Sequence, residues 1–206
     1  MHALTKTLVG TLGGVALAGA LVLPASAHTN SVSDVKNDVK KVAVAVKAGT
    51  ISITHTHDPR VDIREVSVTN TTQAVTVDIR VQQLKVSAID TALVQLRTGL
   101  RKKADYIVTA DPAHPHRASI VSGTGKKAKV QLVKKGVSIT TSGDTLQIRI
   151  GADHLGDPGI VSVVAALSHS SGAASAHEDA TGTISKRAVK TPKTSDNHWT
   201  PRTRRG

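Results

Sequence analysis

Between residues 41 and 167 the chain alternates apolar and polar residues with a period of two, and this constrains its fold more than any other feature. Val75, Val77, Ile79 and Val81 alternate with Thr76, Asp78 and Arg80. Leu146, Ile148 and Ile150 alternate with Thr145, Gln147 and Arg149, and Val161, Val163, Ala165 and Leu167 close the series. Weaker runs hold Val42, Val44 and Val46, then Ile51 and Ile53, Val94 and Leu96, Tyr106 and Val108. In another, Ala128, Val130 and Leu132 alternate with Lys127, Lys129 and Gln131. Successive side chains of a strand point to opposite faces, so each run offers one apolar face to a core. Turn residues separate the runs at Asp58-Pro59, Asp111-Pro112, Ser122-Gly123-Thr124-Gly125, Ser142-Gly143-Asp144 and Asp157-Pro158-Gly159. Residues 35–46 and 89–96 have some helical spacing, but both also fit strands. The expectation is an all-β, jelly-roll-like β-sandwich of about nine or ten short strands.

Composition excludes several chemistries. The chain has no Cys, so it holds no disulfide scaffold, no Cys-ligated metal and no Cys nucleophile. With no Phe, one Trp and one Tyr in 206 residues, it lacks the stacking platforms that bind single-stranded nucleic acid. β-Branched residues fill a pleated core well, so a sandwich can form almost without aromatic rings. The 27 Lys and Arg against 15 Asp and Glu give a formal charge of +12, which favours anionic partners.

The ends read differently from the middle. Residues 1–27 look like a signal peptide: Lys6, an uncharged run over residues 8–23, Pro24, and the small-x-small site Ala25-Ser26-Ala27. The run is short for a membrane span of roughly 20 residues. Cleavage after Ala27 would leave a secreted or envelope-associated chain that starts at His28 and has no transmembrane segment. Residues 28–40 read as a leader, 41–167 as the sandwich, and 168–206 as a low-complexity, largely disordered basic tail. The tail sets Lys186, Arg187, Lys190, Lys193, Arg202, Arg204 and Arg205 against Asp196, and these cations are the candidate anionic-surface residues.

Asp62 to Asn70, then Ala74 to Val81, Ala104 to Val108 and His154-Leu155-Gly156-Asp157-Pro158 resemble, in this order, uncharacterised secreted single-domain β-sandwich proteins of high-GC Gram-positive bacteria. Their arrangement is similar to carbohydrate-binding and DOMON-like sandwiches. The resemblance implies a sandwich and export, and it supplies no reaction.

Candidate sites are few. No Gly-x-Ser-x-Gly elbow is present. Gly123-Thr124-Gly125-Lys126-Lys127 lacks the first glycine of a phosphate loop, since Ile stands at 120. His55-x-His57 and His114-x-His116 each put two imidazoles on one strand face if the strand continues. Gly49, His55, His57 and Asp62 resemble the first cupin motif, without the second. His28 at a new N-terminus would resemble a copper-binding histidine brace. Asp34, Asp38, Asp58 and Asp62 fall in loops where sandwiches hold calcium through oxygen ligands.

The reading is a non-enzymatic binding or envelope module without cofactor or resident metal. Its expected partners are anionic cell-wall polymer, lipid head groups or polysaccharide, with no specific nucleic acid. The alternative is a metal-dependent protein using His55 and His57, or His28, with Asp62 as the low-priority carboxylate.

Overall fold

A computed structural model of the chain describes residues 27–34, 36–45, 50–99, 104–114, 117–123, 128–133, 135–172, 175–181 and 199–206. The fold is an all-β sandwich of two antiparallel sheets. The first sheet runs β1 (His28–Ser33), β4 (Ile63–Asn70), β5 (Ala74–Val81), β11 (Thr145–Gly151), β10 (Val137–Ser142). The second runs β3 (Thr50–His55), β2 (Lys40–Ala45), β13 (Ser175–Ala180), β12 (Ile160–Gly172), β6 (Thr91–Thr98), β7 (Tyr106–Ala110), β8 (Ala118–Ser122), β9 (Lys129–Val133). A short β14 (Thr203–Arg204) also pairs with β12. The chain passes between the sheets by whole hairpins and keeps β6 to β9 together as a meander.

The strongest period-two runs build the core. Leu146, Ile148 and Ile150 of β11 stand opposite Ile79, Val77 and Val75 of β5, and all six are fully buried. Val94 and Leu96 of β6 lie in register with Ala165 and Val163 of β12 in the other sheet. Each fully buried Val, Leu or Ile contributes about 1.5–3 kcal/mol, so this aliphatic layer substitutes for the missing rings. Where they are described, both ambiguous segments hold strands: β2 lies within 35–46, and 89–96 contains most of β6 after a 3-10 turn at Val86–Ala88.

The sandwich overruns its expected boundaries of 41–167 at both ends. The supposed leader holds β1, an edge strand paired with β4 from His28↔Asn70 to Ser33↔Glu65. As an edge strand it packs only Val32 against the core, so its sequence shows no apolar alternation. The supposed tail contributes the end of β12, all of β13, and β14. β13 is the polar run SAHEDA, which owes its place to backbone pairing with β12 on one side and β2 on the other.

Two threonines continue the ladder between β13 and β14. The Thr181 N–H donates to the Ala165 carbonyl (3.0 Å), and its Oγ1 accepts from the Ala165 N–H (3.3 Å). Thr200 does the same at Val163, with distances of 2.9 and 3.0 Å. The two threonines therefore bond to positions two residues apart along β12. Beyond it, the Arg205 N–H donates to Gly159 O (2.8 Å) and the Gly206 N–H to Asn70 O (3.1 Å). The C-terminal residues are strapped to the sandwich by backbone bonds that composition does not reveal.

One strand turns its apolar residues outward. Val130 and Leu132 of β9 are 69% and 80% exposed, whereas Val133 is buried. The register sets Val133 opposite the buried Ala118, which fixes the parity of the strand against its sequence pattern.

Candidate functional site

Most of the buried acidic side chains gather at one corner, where the turn after β1, the loop before β4 and strand β13 meet. Asp34, Asp38 and Asp179 each place a carboxylate oxygen within 4.8 Å of the other two. Asp179 is 1% exposed and accepts hydrogen bonds from the N–H groups of Ile63 (2.6 Å) and Ala180 (2.9 Å). The Ile63 bond ties the second sheet to the first. Burial, reinforced by the charges of Asp34 and Asp38, pushes the Asp179 carboxyl up to about 9.

Two further buried acids complete the corner. Asp62 accepts from the Asn37 N–H (3.2 Å) and pairs with Arg64 at 2.8 Å. Asn37 sits at φ +61°, a conformation that Asn tolerates better than most residues. Burial raises the Asp62 pKa, with Arg64 opposing it. Burial also acts to raise Asp58, but hydrogen bonds from Arg60 (2.7 and 2.8 Å) and His177 (2.8 Å) outweigh it and hold that carboxylate well below its usual range. The corner thus separates a carboxyl that keeps its proton from one that stays ionised. The trio of Asp34, Asp38 and Asp179 offers oxygen ligands only, of the kind hard cations take. Asp179 is too deeply buried to reach a substrate.

Of the four acids singled out for calcium, the structure brings Asp34 and Asp38 together. It turns Asp58 towards Arg60 and His177, and Asp62 towards Arg64. Asp179 completes the trio from 141 residues beyond Asp38 along the chain. No local pattern marks it, because it belongs to the corner only through the β13–β2 pairing.

Among the described residues the histidine candidates do not converge, and His116 lies outside them. β3 ends at His55, so His57 lies past the strand and does not continue its face. The His55 ring nitrogens lie 2.7 and 2.8 Å from the Lys40 Nζ, a cation where a metal would have to approach. His28 is exposed at the start of β1, and Asp62 is engaged as described. Among the described residues, the one group of three or more metal-capable side chains that converges is Asp34, Asp38 and Asp179. A different pair meets instead. His169 and His177 face each other across β12 and β13 with ring centroids 6.3 Å apart, and His177 is oriented by Asp58.

Of the cleavage-site residues, Ala27 is exposed just before β1 and Ala25 lies outside the described residues. Lys186, Arg187, Lys190 and Lys193 also lie outside them. Arg202 and Arg204 are exposed, and Arg205 pairs with Asp157 at 2.5 Å. Trp199 is half-buried, with the Arg97 guanidinium 3.7 Å from its ring centroid, which ties the C-terminal segment to β6. Arg97 itself is held below its usual pKa by burial, with a contribution from Arg202.

Burial redistributes the charge. Among the described residues, ten Lys and Arg are exposed against four Asp and Glu, because most carboxylates are wholly or partly enclosed. The sequence also contains no acid between Asp111 and Asp144, a stretch that holds Arg117, Lys126, Lys127, Lys129, Lys134 and Lys135. That run, which could have been read directly from the sequence, includes β8, β9 and β10, and β9 and β10 are the edges of the two sheets. No helix among the described residues is long and apolar enough to cross a membrane. Comparison with protein families, curated proteins and solved structures gives no match.

Proposed function

We propose that this chain is an exported, non-enzymatic β-sandwich module that binds anionic partners at the cell envelope: cell-wall polymer, lipid head groups or acidic polysaccharide. The observation that carries the reading is the exposed-charge asymmetry, ten cations to four acids among the described residues. The sandwich hides its carboxylates in the corner and in ion pairs, and it leaves Lys and Arg in water. A surface of this kind attracts polyanions and concentrates them. The basic segment containing Lys186, Arg187, Lys190 and Lys193, with Arg202 and Arg204 beyond it, adds to the same field.

The test is co-sedimentation of the protein with anionic vesicles, neutral vesicles and purified cell walls over a salt series. Binding to the anionic targets should fall steeply as the Debye length contracts from about 10 Å at 0.1 M salt to about 3 Å at 1 M. Equal binding to neutral and anionic targets at every salt concentration would refute the proposal.

A further inference from the structure

We infer that the chain forms a two-fold dimer in which β10 pairs antiparallel with β10 of a second copy, joining two five-stranded sheets into one. The inference is independent of the anionic-partner reading above.

β10 is an edge of the first sheet. One contact fixes which of its backbone groups face β11. The Gly151 N–H donates to Gly136 O (2.6 Å), and this pair continues the register Ser138↔Arg149, Thr140↔Gln147, Ser142↔Thr145. Antiparallel ladders alternate bonded and non-bonded pairs, so the even-numbered residues bond to β11. Val137, Ile139 and Thr141 turn their N–H and C=O groups the other way, towards the edge. Such edges are normally blunted by Lys, Pro or a bulge. β10 has none of these. Residues 136–143 read Gly-Val-Ser-Ile-Thr-Thr-Ser-Gly, without a charge in a chain of +12, and the register with β11 runs without a shift. Ser138, Thr140, Thr141 and Ser142 are exposed, and Val137 and Ile139 are half-buried against the core.

Three features make the same edge of a second copy its complement. The first is hydrogen bonding. Residues opposite each other in a strand pair lie on one face, so a two-fold pairing sets odd-numbered residues against odd. Centred on Ile139, it places Ile139 opposite its own counterpart and Val137 opposite Thr141 on either side. All the outward N–H and C=O groups of these three residues then find partners. Centring on Ser138 or Thr140 instead sets Thr141 against Lys135, or Val137 against Gly143, which lie outside the strand. The second feature is apolar: the two Ile139 side chains meet on the inner face, where the two cores join. The third is charge. The centred register brings Lys135 opposite Gly143 of the second copy, one residue from Asp144, and both Lys135 and Asp144 are exposed. Each end of the seam therefore gains a cation beside an acid. A single strand pair buries less than the roughly 1,200 Å² of a standard interface, so the dissociation constant should be on the order of 10–100 µM.

The experiment is sedimentation velocity of the full chain from about 1 µM to about 500 µM, in about 0.3 M salt to screen the repulsion between two basic particles. The parent should pass reversibly from monomer to dimer and no further. In the centred register residue 138 of each copy lies opposite residue 140 of the other. Ser138→Glu/Thr140→Glu therefore sets like charges face to face on both sides of the axis and should weaken the dimer about tenfold. The same variant lowers the net charge by two, which would strengthen an association that depended on overall charge alone. Ser138→Glu/Thr140→Lys sets opposite charges face to face and should dimerise at least as well as the parent. Both positions are exposed, and Ser138 stands opposite Arg149 within its own sheet, so both variants should keep the parent's thermal midpoint. As a second readout, amide exchange over residues 137–142 should slow as concentration rises. A chain that stays monomeric to about 500 µM, or a dimer that neither variant changes, would overturn the inference. So would association that continues past the dimer, because pairing of β10 on β1, the other edge of this sheet, does not close and builds fibres.

Discussion

Replacing Asp179 by Asn should remove a pH-dependent burden from the fold. In the folded protein the Asp179 carboxyl keeps its proton up to about pH 9, whereas in the unfolded chain it ionises near 3.8. Between those values the folded state binds one proton more than the unfolded state, so this group makes stability fall as pH rises. One proton corresponds to about 1.4 kcal/mol per pH unit, or about 4 kcal/mol between pH 5 and pH 8. Asparagine carries the hydrogens of the protonated acid: its Oδ1 can accept from the Ile63 N–H and its Nδ2 can donate to Asp34 or Asp38, with loss of the Ala180 N–H bond as a cost that does not vary with pH. The variant should therefore gain on the parent progressively with pH, by about 4 kcal/mol over that range. Asp62 and Glu178, which burial also shifts upward, remain in both proteins and cancel from the comparison. Urea unfolding of both proteins at several pH values, with chelator present, measures the gap. Stability curves that stay parallel from pH 5 to pH 8 would show that Asp179 is ionised in the folded protein and would refute the argument.

Thr200→Val should cost about 1–3 kcal/mol, because it leaves the buried Val163 N–H without its acceptor, and Thr181→Val should act similarly at Ala165; loss of less than a few tenths of a kcal/mol in urea unfolding would mean that the C-terminal strap is not formed in solution. Zinc should leave the thermal midpoint of the parent and of His55→Ala equally unchanged, since Lys40 occupies the approach to His55 and His57 lies beyond the strand. A tight zinc site at saturating metal would raise stability by about 2.7 kcal/mol at 100 times its dissociation constant, a shift that calorimetry reads directly.

What the sequence determined by itself is local and periodic. In β5 and β11 the alternation sets both the strand and its buried face, because Val75, Val77 and Ile79 meet Ile150, Ile148 and Leu146 with the same parity. Charge composition likewise announces a basic protein, and Asp34 and Asp38 lie close enough in the chain to be grouped by eye. Tertiary structure decided the rest. β9 alternates as cleanly as its neighbours, yet its pairing with β8 buries Val133 and turns Val130 and Leu132 to solvent, since register is set by the partner strand. β1 and β13 carry no apolar pattern because one is an edge and the other is held by backbone bonds on both sides. Asp179 acquires its proton, and Arg202 to Gly206 their fixed places, only when strands far apart in the chain are brought side by side. A period of two can be read within eight residues. Which strand lies beside which depends on contacts that span the whole chain, and those contacts decide which charges are hidden and which apolar residues are left exposed.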